Sequence, residues 1–337
     1  MPRLFFRPPA PGLPPAARRA WVTWLLLASL VVLFCGRALA DPAGPVAGGR
    51  SKRVLIISVD GLRPDLALRG DCPNLRDLMA RGSFTMWAQT TPSGKTLPSH
   101  TSMLTGRTVP DHGIHWNSEK KPASADYIYA QVPTLFALAK QAGYSTALVA
   151  GKAKFRAVAQ PETLDHQFLA EGTTGDHETT EQAIRLVREH APQVMFFHLP
   201  DTDSTGHGRG WGSPQQMRAI ANADRCIGRL LTAMENRRVL DDTLVIVTAD
   251  HGGWMKDHNG SDARGRTIPW IATGPGVVAG QDLTLVDKLE VRTEDTFATA
   301  CAYLEIPLPA ACAGKPVTAI FPPPPALNVA PASPGTP

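Results

Sequence analysis

Val54-Leu55-Ile56-Ile57-Ser58-Val59 is a nearly unbroken apolar run, followed at once by a charged residue, Asp60. A strand wetted on one face alternates apolar and polar side chains, so a run without alternation predicts a strand covered on both faces. Similar runs return at residues 145–149, 194–197, 243–248 and 268–272. Between them the spacing predicts helices over 74–81, closed by Gly82, and 134–141, closed by Gly143. Longer helices are predicted over 178–189 and roughly 214–235, and a last one around 296–304. This alternation predicts an α/β fold with a mostly parallel central sheet flanked by helices.

In such folds chemistry gathers beyond the carboxyl ends of the strands. The sequence meets that demand three times: Asp60 ends the first run, Asp203 and His207 follow Phe196-Phe197, and Asp250-His251 follow the run ending at Thr248. One aspartate after a strand is readily explained as a helix cap or turn former. Three strands ending in Asp or Asp/His groups are not. Mixed Asp and His donors suit zinc, manganese or iron rather than calcium or magnesium, which favour all-oxygen sites.

A further segment places Pro98 where a helix starts and Gly106 where one stops. Thr96 then stands at the amino end, where unpaired N–H groups and the macrodipole favour an anion. On this segment alone Thr96 is a helix cap, because an alcohol needs a base or a metal to become a nucleophile.

Together, Asp60, Lys95-Thr96-Leu97-Pro98-Ser99-His100, Asp111-His112-Gly113-Ile114, Asp203-x-x-x-His207 and Asp250-His251-Gly252 resemble the alkaline phosphatase superfamily. More narrowly they are similar to its type I phosphodiesterase/nucleotide pyrophosphatase branch, over about residues 53–278. The resemblance implies a three-layer α/β/α catalytic domain, two divalent metal ions, zinc foremost, and a small phosphoester substrate of nucleotide-like kind. Asp60, Asp250, His251 and the Thr96 oxygen would hold one ion; Asp203, His207 and a third histidine would hold the other. His258 matches that histidine best, although Asn259 separates it from Gly260 where the family has glycine directly. The four-residue step to His207 selects Asp203 over Asp201, which is left to support the loop.

Asn117, six residues after Asp111, matches the asparagine that binds a phosphate oxygen, its alternative being a plain turn residue. Lys95, Lys152 and Lys154 either face an anionic substrate or are solvated surface lysines. His100 and His112 are expected to make structural hydrogen bonds, and Trp211 to be a packed loop aromatic. The implied chemistry is attack of Thr96 on phosphorus, a phospho-threonine intermediate, and its hydrolysis by water, with Asn117 and the amide at the helix start stabilising the equatorial oxygens.

The rivals differ at identifiable residues. A sulfatase carries cysteine or serine at the nucleophile position, where Thr96 stands. Monoesterases place extra positive charge around the terminal oxygens. No arginine in the matched motifs does so, which favours diesters, unless Lys95 or Lys152 supplies the charge. Phosphonate hydrolysis would use the same metal core. A non-catalytic, zinc-stabilised binding protein would lack a nucleophile or a ligand, and none is missing. No basic, aromatic-interleaved motif marks a nucleic-acid-binding module.

The two ends are different material. Residues 1–40 hold five arginines, no acidic residue, an apolar run over 21–34 and Ala38-Leu39-Ala40. That pattern predicts a signal peptide cleaved near Ala40, a periplasmic or secreted product, and no permanent membrane span, the run being too short. Residues 321–337 hold seven prolines and are expected to be a disordered tail, leaving 41–320 as the catalytic domain. Loss of Cys35 leaves Cys72, Cys226, Cys301 and Cys312, which allow two disulfides, Cys301–Cys312 foremost, or four buried thiols. The 337-residue chain has 34 basic and 30 acidic residues. Once the five arginines leave with the signal peptide, that excess is gone, so attraction for an anion must be local.

Overall fold

The strand β1 (Arg53–Val59) is buried along almost its whole length and has parallel neighbours on both sides, β5 (Val194–Leu199) and β6 (Thr243–Thr248). The computed structural model describes residues 52–119, 128–258 and 262–323. The expected signal peptide and residues 324–337 of the expected tail lie outside the described residues. Phe321, the first residue assigned to the tail, stacks on Tyr303 with ring centroids 6.4 Å apart.

The other strands are β2 (Ser83–Gln89), β3 (Thr146–Ala150), β4 (His166–Leu169), β7 (Thr267–Thr273) and β8 (Gln281–Asp282). They form one eight-stranded sheet in the order β4-β3-β5-β1-β6-β7-β2-β8. Neighbours from β4 to β6 are parallel, whereas β7 runs antiparallel to both β6 and β2. The strands that read as solid apolar runs are the central, doubly covered ones. β2 carries a mixed pattern and a register shift between Thr85 and Ala88, and for that reason gave no strand signal.

The described helices are α1 (Pro64–Arg69), α2 (Pro73–Arg81), α3 (Thr96–Thr105), α4 (Val109–His112), α5 (Leu135–Gln141), α6 (Asp176–His190), α7 (Asp201–Arg209), α8 (Pro214–Asn236), α9 (Ala263–Arg266) and α10 (Thr293–Tyr303). One group packs around α8, including α2, α6 and α7; another joins α3 to α4 and α10. The sheet between helices makes the expected α/β architecture. Every residue of α3 is buried, and Gly106 ends it in the left-handed conformation at φ 64°.

Cys72, Cys226, Cys301 and Cys312 are free thiols, so the expected disulfides do not form here. The Sγ of Cys312 points instead at the carbonyls of Gly106 and Gly314, 3.5 and 3.4 Å away. Among the described residues no helix is long and apolar enough to cross a membrane.

Candidate active site

The sheet register assembles the site. Ser58 pairs with His198 on one side and Thr248 on the other. Asp60 lies two residues beyond Ser58 and Asp250 two beyond Thr248, so parallel pairing delivers both carboxylates to the same edge. On β3, Ala150 pairs with His198, which brings Lys152 to that edge as well. β5 feeds directly into α7, whose first turn carries Asp203 and whose last carries His207. The helix α3 is tied to the end of β6 by Ser99, whose hydroxyl donates to the Asp250 carbonyl at 2.9 Å.

Three imidazoles are oriented in the same way. The Nδ1 atoms of His207, His251 and His258 lie 2.8, 2.8 and 2.7 Å from the carbonyls of Lys256, Gly252 and Gly94. A carbonyl can only accept, so each Nδ1 carries the hydrogen, and in the neutral ring Nε2 is a bare lone pair. These Nε2 atoms face carboxylate oxygens. His251 Nε2 is 3.4 Å from Asp60 Oδ1 and 3.3 Å from Asp250 Oδ2; His207 Nε2 is 3.3 Å from Asp203 Oδ1, and His258 Nε2 is 4.0 Å from it. The Thr96 hydroxyl lies 3.4 Å from His251 Nε2.

Lone pairs opposed at this range repel unless a cation or a proton lies between them. Asp60 Oδ1, Asp203 Oδ1 and Asp250 Oδ2 are buried and have no hydrogen-bond partner among the described residues. Two groups have ligand atoms close enough to share an ion: Asp203 with His207 and His258, and Asp60 with Asp203 and His251. Asp203 thus belongs to both. The orphaned oxygens, fixed tautomers and mixed donor set fit a divalent metal ion.

Protonation follows burial and neighbours. Burial works against ionising Asp60, but Lys152 and His198 outweigh it and hold its carboxyl well below the usual range. Asp203 is lowered to about 2, burial and Asp60 being overcome by His207, Lys152 and His251. Asp250 goes the other way, pushed well above its ordinary value by burial and by the charges on Asp60 and Asp203. Burial, with help from His258, lowers His251 to about 4, so its ring is neutral. His207, beside the Asp203 carboxylate, has its pKa raised, mainly by the hydrogen bond its protonated form can donate.

Lys152 makes contacts that sequence did not anticipate. Its Nζ lies 2.7 Å from Asp60 Oδ2 and 2.6 Å from Asp203 Oδ2, so its charge faces the chain's own carboxylates. Lys154, two residues on, donates to Asn117 Oδ1 at 3.2 Å, and the same oxygen accepts from the Leu97 amide at 2.9 Å. The Leu97 amide, in the first turn of α3, is thus engaged by Asn117. Lys95 occupies the position before the first turn of α3.

His198 was missed as a site residue. Its Nε2 donates to Asp60 Oδ2 at 3.0 Å from a fully buried position. The available signal was a histidine inside Val-Met-Phe-Phe-His-Leu, where burial on both faces demands a polar partner. The remaining polar candidates have local tasks. His100 bonds Ser58 and the Thr96 carbonyl, His112 bonds Ser102 and accepts from the Ile114 amide, and Trp211 is buried with Nε1 donating to Gly61. Asp201 and Asp176 accept from one another's amides at 3.0 and 2.9 Å, joining the starts of α7 and α6. A cavity of about 660 Å³ lies elsewhere, beside Asp77, Glu235 and Asp241.

Comparison with known proteins points the same way. Residues 54–260 match the family model described as type I phosphodiesterase / nucleotide pyrophosphatase. A pyrophosphatase/phosphodiesterase of Schizosaccharomyces pombe, described as uncharacterized, is 25% identical over 248 residues, covering 68% of this chain and 51% of its own. Human ectonucleotide pyrophosphatase/phosphodiesterase family member 7 is 27% identical over 259 residues, covering 70% and 56%. This chain therefore spans about half the length of these curated relatives. Among solved structures, murine ectonucleotide pyrophosphatase/phosphodiesterase 5, an inactive threonine-to-alanine form in complex with AMP, superposes with a TM-score of 0.65 at 15% identity. That match covers 77% of this chain and 96% of that one.

Proposed function

The chain belongs to the type I phosphodiesterase/nucleotide pyrophosphatase family, and from that premise we propose that it is a metal-dependent phosphoester hydrolase with Thr96 as nucleophile. The observation that carries this reading is the set of orphaned carboxylate oxygens facing His251 Nε2, with the Thr96 hydroxyl 3.4 Å from that nitrogen. Asp60, Asp250, His251 and the Thr96 oxygen are assigned to one divalent ion, and Asp203, His207 and His258 to a second, zinc being the ion that suits the donors best. When bound, such ions acidify an alcohol and offset charge on entering and leaving oxygens.

The chain's own residues do the rest. Thr96 loses its proton and its Oγ1 bonds to phosphorus as the bond from phosphorus to the departing oxygen breaks. Water then attacks phosphorus, the bond to Oγ1 breaks, and the hydroxyl is restored. Asn117, held by the Leu97 amide, has its side-chain N–H groups to offer the phosphoryl oxygens. His198 holds Asp60 in place from behind. A diester is the favoured substrate class, in keeping with the family, and a small nucleotide-like molecule is the favoured substrate.

The test is turnover of bis(p-nitrophenyl) phosphate against p-nitrophenyl phosphate by purified protein, with and without chelator. Faster diester cleavage that disappears with chelator and returns with zinc is the expected result. Monoester turnover clearly exceeding diester turnover would reassign the substrate class. Bound zinc without turnover of diesters, monoesters or phosphonates would make the chain a zinc-stabilised binding protein instead.

A further inference from the structure

Four of the five large apolar side chains that stand exposed among the described residues lie on one face: Leu68, Trp87, Trp254 and Met255. Leu68 and Trp87, with Pro64 and Met86, line an apolar groove of about 280 Å³ flanked by Arg63 and Arg264. The Arg264 guanidinium extends the face, lying 4.3 Å from the centre of the Trp254 ring, and Met255 is the next residue. This face is at the reactive edge of the sheet. β2 is antiparallel to β7 and β7 to β6, so Trp87 stands near the end of the sheet that carries Asp250. Arg63 ties the groove to the site, donating to the Gly253 carbonyl, two residues after His251, at 3.1 Å.

The backbone dictates that Trp254 and Met255 face out. Residues 254–257 form a tight hairpin turn, the Trp254 amide donating to the Asp257 carbonyl at 2.7 Å and the Asp257 amide to the Trp254 carbonyl at 3.0 Å. The carbonyls at its tip are committed inward: that of Met255 accepts from the Trp211 amide at 2.7 Å, and that of Lys256 from His207 Nδ1. With those carbonyls held inside, the side chains at the tip turn to water. Met255 has φ 52°, a left-handed conformation that residues other than glycine avoid. Backbone strain that presents an apolar side chain, 63% exposed, points to a partner outside the fold.

We propose that this face docks on a lipid bilayer and brings the metal-ligand edge of the sheet to the membrane surface. Tryptophan rings with arginine and lysine beside them settle at the boundary between headgroups and acyl chains. Arg63 and Arg264 pair with Asp65 and Asp262, whereas Lys256 has no carboxylate within ion-pair distance among the described residues and suits an anionic headgroup. A second copy of the chain fits less well. Four side chains, each about half to two-thirds exposed, fall short of the roughly 800 Å² per partner that a stable protein interface buries. The inference stands on this surface and does not require the hydrolase reading.

The experiment measures co-sedimentation of purified full-length protein with phosphatidylcholine vesicles, with and without phosphatidylglycerol. It compares wild type, Trp87→Ser, Trp87→Ser/Met255→Ser and Lys256→Gln; these side chains are exposed, so thermal melts should match wild type. Loss of two inserted apolar side chains predicts a partition coefficient about 10- to 100-fold lower on both kinds of vesicle. Trp87→Ser alone, which leaves the turn intact, should lose about 10-fold. Lys256→Gln should lose about 5-fold on the anionic vesicles and nothing on the neutral ones. A double variant that partitions like wild type overturns the proposal and puts any membrane affinity elsewhere in the chain, the apolar run over 21–34 included. Wild type that ignores vesicles, yet forms dimers that the double variant loses in analytical ultracentrifugation, overturns it in favour of a second copy. Turnover of bis(p-nitrophenyl) phosphate in solution is read on the same preparations, so an inert enzyme would count against the hydrolase reading alone.

Discussion

The ammonium of Lys152 sits 2.7 Å from the carboxylate of Asp60, at a place almost closed to water. The same nitrogen reaches Asp203 at 2.6 Å, so one cation serves two buried anions. Removing it leaves those anions unpaired, which for buried pairs costs about 3–5 kcal/mol. Lys152→Met should therefore lower the melting temperature of metal-free protein by on the order of 10 °C. Zinc should recover more stability in the variant than in wild type, because incoming cations take over the missing charge. Thermal melts with and without zinc check this; equal zinc responses in the two proteins would refute it.

Thr96 is buried, and its hydroxyl faces the ring nitrogen of His251. If it is the nucleophile, Thr96→Ala should cost on the order of 10⁴-fold or more in turnover. The Asp and His donors remain, so zinc content, measured on the same preparation by mass spectrometry, should stay close to wild type. Retained turnover would move the nucleophile elsewhere.

Much of this site was legible because its residues follow the most strongly patterned strands. Asp60, Asp203 and Asp250 could be read because β1, β5 and β6 are buried on both faces and so are solid apolar runs. The contacts of Lys152 were not legible. Only the pairing of Ala150 with His198 brings its ammonium between Asp60 and Asp203, and pairing is a property of the sheet rather than of any local run. His198 was hidden for a related reason, since its partner is 138 positions away in sequence. β2, β4 and β8 gave no strand signal, being partly exposed, short or irregular in register.

The glycine after His251 has a steric task. A Cβ on Gly252 would stand 2.0 Å from the Arg264 carbonyl oxygen and 2.7 Å from Arg63 Cγ. The backbones are held together here, Gly252 donating to Gly265 at 3.0 Å and Gly253 to Arg264 at 2.9 Å. Gly252→Ala must push them apart, and His251 moves with them because its Nδ1 is bonded to the Gly252 carbonyl. The expected result is a loss of about 100-fold in kcat/KM, as a displacement near 1 Å can produce. It should come with about 1–3 kcal/mol of destabilisation from overpacking. Kinetics and denaturant melts check both, and near-wild-type kinetics would show that the loop relaxes without moving the histidine.

Asp176 offers a prediction away from the reacting groups. Its carboxyl is fully buried, accepts from the Asp201 amide, and leaves Oδ2 without a partner among the described residues. Burial, then the charge on Asp201, pushes its pKa well above the ordinary value. The folded chain therefore keeps a proton that the unfolded chain releases above about pH 4. Where the native state binds more protons, stability falls as pH rises, here from the unfolded value up to the raised folded one. Asp176→Asn is nearly isosteric and cannot ionise. Its melting temperature should match wild type near pH 4 and exceed it by a margin that widens toward neutrality. A pH series of thermal melts measures that margin; a constant difference, or one that shrinks with rising pH, would mean that Asp176 is ionised in the folded protein.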